Sequence, residues 1–151
     1  MISEEPGQPI NLLLVEDNDA HAEMVMRSFE QHEIANRIHH VDDGQKALDY
    51  IFNQGEYSDS EKYPSPQCIL LDLRLPKVDG LEVLRRIKSD HSTKRTPVVV
   101  LTTSSADKDI VMSYEYHANS YVVKPMDFDK FEGLMEELGY YWLDWNQNPR
   151  R

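Results

Sequence analysis

Five times along this chain a short, nearly continuous apolar run is followed by apolar residues at helical spacing, and that alternation limits the fold more than any other feature. Ile10 to Val15 (Ile-Asn-Leu-Leu-Leu-Val) stops at charges, as a strand buried on both faces does. Ala22, Val25, Met26 and Phe29 then recur at offsets of 3, 4 and 7, which predicts an amphipathic helix from Ala20 to about His32. Ile38 to Val41 is a weaker strand, and Ala47, Leu48, Ile51 and Phe52 mark the second helix. Cys68 to Leu71 is the third strand, followed by a helix marked by Val83, Leu84 and Ile87. Val98 to Leu101 is the fourth strand, entered through Pro97, and Ile110, Val111, Tyr114 and Ala118 mark the fourth helix. Tyr121 to Val123 and then Phe128, Phe131, Met135 and Leu138 complete the series. Parallel strands need crossovers and the crossovers here are helices, so the expected fold is α/β: a doubly wound five-stranded parallel sheet with helices on both faces.

A chain of 151 residues has room for one such core, and a second folded domain is not expected. Asn53 to Pro66 exceeds the roughly 2 to 6 residues usual between helix and strand and is expected to be a surface loop. No apolar run reaches the length of a membrane span, and Met1 to Pro9 lacks the basic and apolar regions of a signal peptide, so a cytoplasmic location is expected. The single cysteine, Cys68, sits in an apolar strand and reads as a buried thiol. A net charge of −11 opposes binding to nucleic acid and would repel any phosphorylated molecule, unless a cation or a local cluster of donors reverses the field.

Residues that follow the strands of a parallel sheet gather at one end of it, which is where such folds bind ligands. Here they are Glu16-Asp17-Asn18-Asp19 after the first strand, Asp72 after the third, Thr102-Thr103-Ser104 after the fourth and Lys124-Pro125 after the fifth. With the third strand beside the first, Glu16, Asp17 and Asp72 become three neighbouring carboxylates. Two unit charges about 4 Å apart repel by roughly 4 kcal/mol at an effective dielectric of about 20, so the cluster calls for a cation or for raised pKa values. The available ligands are hard oxygens without Cys or His at metal spacing, which favours Mg²⁺, and a carboxylate beside Mg²⁺ and a lysine suits phosphoryl transfer. Each piece has an ordinary reading when taken singly: a capping loop, a turn at Asp79-Gly80, a strand-end threonine, a solvated lysine. Their joint placement is what points to chemistry.

The strings Leu-Leu-Val-Glu16-Asp17-Asn, Leu-Leu-Asp72-Leu-Arg-Leu-Pro76-Lys-Val-Asp79-Gly80, Val-Leu-Thr102-Thr and Tyr121-Val-Val-Lys124-Pro125 resemble the receiver domain of two-component response regulators. The resemblance covers about residues 9–138, and the separations of 30 from Asp72 to Thr102 and 22 from Thr102 to Lys124 fit it. It implies a flavodoxin-like strand order of 2-1-3-4-5 and a phosphoryl group accepted on Asp72 from a sensor histidine kinase. It further implies Asp17 as a direct Mg²⁺ ligand, Glu16 as a second acid acting through water, and the backbone carbonyl of Arg74 completing the set with Asp72. Mn²⁺ or Ca²⁺ would substitute for Mg²⁺. Thr102 would bond the phosphoryl oxygen, Lys124 would pair with the phosphoryl group and Asp72, and Tyr121 would rotate inward behind Thr102 as its switch partner. A cis Lys124–Pro125 bond is implied too. Thr103 stands where alanine is frequent, and Arg74 and Ser104 occupy positions that in this family tune hydrolysis.

Rival readings fit less well. A haloacid-dehalogenase-type phosphatase needs a second acid two residues after its nucleophile, where Arg74 stands, and a flavodoxin-type carrier would not meet a flavin phosphate with Glu-Asp-Asn-Asp. The alternative within the family is a degenerate receiver that binds partners without phosphorylation, against which the intact acidic pair, Asp72, Thr102 and Lys124 weigh. No histidine shows metal-site spacing, and His39-His40 is expected at the surface.

The chain divides into an N-terminal extension (1–8), the receiver (9–138) and an aromatic extension (139–151), the last too short for an output domain. Phe128, Phe131, Met135, Leu138, Trp142 and Trp145 follow steps of 3, 4, 3, 4 and 3. One helix through them would run about 27 Å, longer than a typical strand, so its tryptophans would overhang the sheet. That predicts a homodimer formed through the tail and the face made by the fourth helix, fifth strand and fifth helix (α4-β5-α5). The alternative is that Gly139, a common helix terminator, ends the helix and the aromatics fold back onto their own domain. The tail, the Gly55-Glu56-Tyr57 loop and the missing output domain resemble small response regulators that serve phytochrome-type histidine kinases, which implies such a kinase as partner, with no nucleic acid and no membrane.

Overall fold

The computed structural model describes residues 11–31 and 37–139. Strands and helices alternate as β1 (Asn11–Val15), α1 (Asp19–Gln31), β2 (Arg37–Val41), α2 (Gly44–Ile51), β3 (Cys68–Leu71), α3 (Gly80–Ser89), β4 (Val98–Thr102), α4 (Asp107–Glu115), β5 (Ser120–Val123) and α5 (Phe128–Gly139). All four pairings are parallel and the order is β2-β1-β3-β4-β5. The fold class and strand order are those expected from the sequence. The tail with Trp142 and Trp145, and the extension 1–8, lie outside the described residues.

Alternate residues of the central strands point to opposite faces, and each face has its own core. Leu12, Leu14, Leu70 and Leu101 pack with Ala22, Val25 and Phe29 of α1 and Phe131 and Met135 of α5. Leu13, Val15, Ile69, Leu71 and Val100 pack on the other face with Leu48 of α2 and Val83, Leu84 and Ile87 of α3. Cys68 is buried, and burial pushes its thiol up to about 12, the state of an inert packing thiol.

Two expectations change, at the fourth helix and at His39. The fourth helix does not bury its apolar stripe: Val111 is 55% and Tyr114 51% exposed, while Asp109 and Ser113 face inward and Ala118 lies beyond the helix. The loop after α2 is the surface loop expected, and it is pinned at several points. It holds a short 3₁₀ turn at Gly55–Tyr57, Tyr57 is buried, and Asn53 Nδ2 donates to the carbonyls of Tyr57 at 3.0 Å and Tyr63 at 3.1 Å. His39 is not a free surface residue but stacks on Tyr50, with ring centroids 4.7 Å apart, edge-on to Tyr57 and Tyr63.

Gly80 sets how closely α3 approaches the loop after β3. A Cβ there would lie 2.4 Å from the Asp72 carbonyl oxygen and 2.5 Å from the Leu73 Cα. Because both atoms belong to backbone, the helix would have to move. Gly80→Ala is therefore expected to destabilise the protein by about 1–3 kcal/mol, read as a lowered urea midpoint.

Candidate functional site

Strand register brings the acids together. Val15 pairs with Leu71, so the next residue on each strand, Glu16 and Asp72, emerge side by side, and the ladder runs on through Asp72 N–H to the Val15 carbonyl at 3.0 Å. Thr102 pairs with Val123, and Lys124 N–H donates to the Thr102 carbonyl at 2.8 Å, which delivers the lysine from the neighbouring edge. Asp17 sits on the open side, exposed in the loop before α1. One carboxylate oxygen from each of Glu16, Asp17 and Asp72 lies within 4.8 Å of the others.

Lys124 is the buried counter-ion of this group. Its side chain is 1% exposed, and Nζ donates to Glu16 Oε1 and, at 3.2 Å, to Asp72 Oδ2. One ammonium between two buried carboxylates leaves an uncompensated negative charge. Burial first, with the Asp72 charge adding to it, accordingly raises the Glu16 carboxyl to about 7 against the opposing pull of Lys124. Burial also pushes Asp72 up, but Lys124 and hydrogen bonds involving Glu16, Thr102 and the Arg74 N–H outweigh it, and Asp72 lies below its ordinary value. The pair is thus split into a carboxylic acid that titrates near neutrality and a carboxylate that stays ionised. Three hard oxygen donors that carry, when all are ionised, two negative charges beyond the one Lys124 balances fit a divalent cation of the Mg²⁺ type.

The remaining expected residues surround this centre. Thr102 is fully buried, and its Oγ1 accepts from Ser104 N–H at 3.4 Å. Tyr121 is half-buried and its hydroxyl donates to the Ser104 carbonyl at 2.8 Å, so it meets Thr102 through Ser104. Arg74 N–H donates to Asp72 Oδ1 at 3.3 Å, while its guanidinium reaches Asp109 on α4. The Lys124–Pro125 bond corrects an expectation: no cis peptide occurs among the described residues. Trans is the favoured form of an X–Pro bond by about 0.5–1 kcal/mol, and Lys124 reaches both acids in it.

Three contributors were not foreseen. Asp109, buried, takes both the Arg74 guanidinium and the Ser104 hydroxyl at 2.6 Å, tying α4 to the loops after β3 and β4. His40 Nε2 lies 2.7 Å from the Glu16 carbonyl, so it braces the acidic loop. His21 Nδ1 lies 3.1 Å from Lys124 Nζ. Only His21 carried a sequence signal, its place in the first turn of the helix that the acidic loop opens. Asp109→Ala would hand the Ser104 hydroxyl and the Arg74 guanidinium, whose side chain is 58% exposed, to water. It is expected to cost about 0.5–1.5 kcal/mol, measured by urea denaturation.

The chain is similar to known proteins along nearly its whole length. The family described as "Response regulator receiver domain" matches residues 12–136. "Probable methanogenesis regulatory protein FilR2" of Methanothrix harundinacea is 46% identical over 145 residues, covering 96% of this chain and 91% of that protein. Response regulator Rcp1 of Synechocystis sp. is 39% identical over 143 residues, 95% of each chain. The crystal structure of its Mn²⁺-bound form matches with a TM-score of 0.88 over 94% of this chain and all of that one. The phosphorylated cyanobacterial phytochrome response regulator RcpA matches at a TM-score of 0.89 with 36% identity, over 95% of this chain and all of that one.

Proposed function

The chain belongs to the response-regulator receiver family, and on that premise we propose that it is a phosphorylation switch whose acceptor is Asp72. The observation that carries this reading is the buried Lys124 ammonium held between Glu16 and Asp72. It supplies a cation beside one ionised and one titrating carboxylate. The Asp72 carboxylate attacks phosphorus, an oxygen–phosphorus bond forms, and the phosphorus–nitrogen bond of a kinase phosphohistidine breaks to release the imidazole. Lys124 and the Thr102 hydroxyl receive the phosphoryl oxygens, and Tyr121, released from Ser104, follows Thr102 inward. Asp17, Asp72 and the Arg74 carbonyl would hold Mg²⁺, with Glu16 acting on it through water, and Mn²⁺ or Ca²⁺ would substitute for it. When bound, the ion neutralises the carboxylates and the charge of the transferring group. The protein acts on itself and turns over no separate substrate.

Incubation with acetyl phosphate and Mg²⁺ tests the reading by intact mass. One phosphate-sized gain that depends on Mg²⁺ is expected, and an unchanged mass overturns the reading in favour of a phosphorylation-independent module.

A phytochrome-type histidine kinase is the proposed donor, supported by the likeness to RcpA. Rapid phosphotransfer from such a kinase, ahead of unrelated histidine kinases, is the expected result, and equal rates from all of them remove this donor. The output is proposed to be a protein contact. Val111, Tyr114, Val123, Met126 and Phe128 expose an apolar α4-β5-α5 face suited to a homodimer. No helix of the described residues is long and apolar enough to cross a membrane. Sedimentation of the full chain against one cut after Gly139 tests the tail's share, since equal masses would remove it.

A further inference from the structure

The three hydrogens of the Lys124 ammonium meet three acceptors, of which the resemblance implied one, Asp72. They are Asp72 Oδ2, Glu16 Oε1 and, at 3.1 Å, His21 Nδ1. An ammonium has no lone pair, so Nδ1 must accept, and the ring proton of this imidazole resides on Nε2. His21 is therefore neutral while the contact stands. Burial, followed by the charge of Lys124, holds its pKa below the ordinary value, in keeping with that form.

The residue and its ring are each placed. The His21 backbone N–H donates to Asn18 Oδ1 at 3.0 Å, which anchors the residue in the first turn of α1. Its imidazole lies against Phe131 of α5 with centroids 5.9 Å apart and planes tilted by 32°, and Phe131 is buried. A rigid neutral acceptor is thus presented to a lysine whose stem is otherwise flexible.

The three acceptors differ in what they do during phosphoryl uptake. Asp72 changes its charge and its bonding, because it is the nucleophile. Glu16 is one of the acids that would serve the cation, so its charge is shared with the metal site. Among the three, His21 alone enters and leaves the reaction unchanged. It restrains the ammonium without adding a negative charge that would compete with the incoming phosphoryl oxygens, so the cost of orienting Lys124 is met before the donor arrives.

We infer that His21 is a positioning residue, which holds the Lys124 ammonium in register with Asp72 through its Nδ1 lone pair while the phosphoryl group is delivered. The inference rests on Asp72 being the acceptor, and the experiment separates the two. Initial rates of phosphorylation by acetyl phosphate at saturating Mg²⁺ are measured by intact mass on the full chain, for the wild type, His21→Asn and His21→Leu. Asparagine places an acceptor oxygen near the Nδ1 position, whereas leucine keeps bulk against Phe131 without an acceptor.

The asparagine variant is expected within about threefold of the wild type, and the leucine variant about five- to tenfold slower. Mg²⁺ affinity, measured by calorimetry, should stay within about twofold for both. A leucine variant as fast as the asparagine variant, or faster, overturns the inference and reduces His21 to a packing residue. His21→Met repeats the apolar arm if the leucine variant melts early. If the wild type takes up no phosphoryl group, the reading of Asp72 fails by itself, and hydrogen exchange at the Lys124 ammonium, followed by ¹⁵N NMR, decides the contact. Slower exchange in the wild type and His21→Asn than in His21→Leu upholds it, and equal exchange in all three overturns it.

Discussion

Asp72→Asn will show no phosphate-sized mass gain after incubation with acetyl phosphate and Mg²⁺, a loss of roughly a hundredfold or more in rate. The prediction is demanding because two other carboxylates lie in the same cluster. Glu16 is a poor substitute. Its side chain is 2% exposed against 9% for Asp72, so an incoming phosphorus reaches it less readily. Asp17 is exposed in its loop, whereas Lys124 pairs with Glu16 and Asp72. Asp72 alone combines an ionised carboxylate, a direct ammonium contact and a backbone donor at 3.3 Å from Arg74. Asparagine keeps the shape while removing the nucleophile, and it relieves the repulsion on Glu16, so the variant should fold at least as stably as the wild type. A full mass gain in the variant would move the acceptor role to Glu16 or Asp17.

The same residues show what a sequence can reveal and what it hides. Strand ends were legible because apolar runs stop where charges begin, and a parallel sheet then collects Glu16, Asp72, Thr102 and Lys124 without further information. The direction in which a helix turns its face was not. The stripe Ile110, Val111, Tyr114 looked core-facing, yet α4 buries Asp109, whose partner Arg74 stands 35 positions earlier. An ion pair of that span leaves no periodic trace. His21 escaped for the same reason, since its contact Lys124 is 103 residues away. The loop from 53 to 66 read as a surface loop from its length, which says nothing of what holds it. Its own Tyr57 and Tyr63 cluster with Tyr50 of α2 and His39 of β2. Local pattern gives the period and the chain ends of each element, whereas long-range polar pairing decides which face is buried.

Without divalent metal, stability is expected to fall as pH rises from about 4.5 to about 7, and Glu16 is the reason. Its carboxyl binds a proton more tightly in the folded protein, where it titrates at about 7, than at the ordinary value of 4.5. Between those values the folded state holds more protons than the unfolded one, so raising the pH favours unfolding. The contribution of Glu16 is complete below 4.5 and gone above about 7. One proton over that interval amounts to about 3 kcal/mol, shared with Lys124. His21 and His39, both held below 6.5, act in the opposite sense because the unfolded chain takes up their protons first, so they offset part of the fall below pH 6.5. The difference between wild type and Glu16→Gln isolates the glutamate: the variant should lack the decline, and urea midpoints from pH 5 to 8 should diverge by roughly 1–3 kcal/mol. Saturating Mg²⁺ should also remove the decline, because ligation requires the ionised carboxylate and draws its proton off at lower pH. A metal-free wild-type curve parallel to that of Glu16→Gln would show that Glu16 is already ionised in the folded protein and that Lys124 alone neutralises it. The site would then need no cation to be stable.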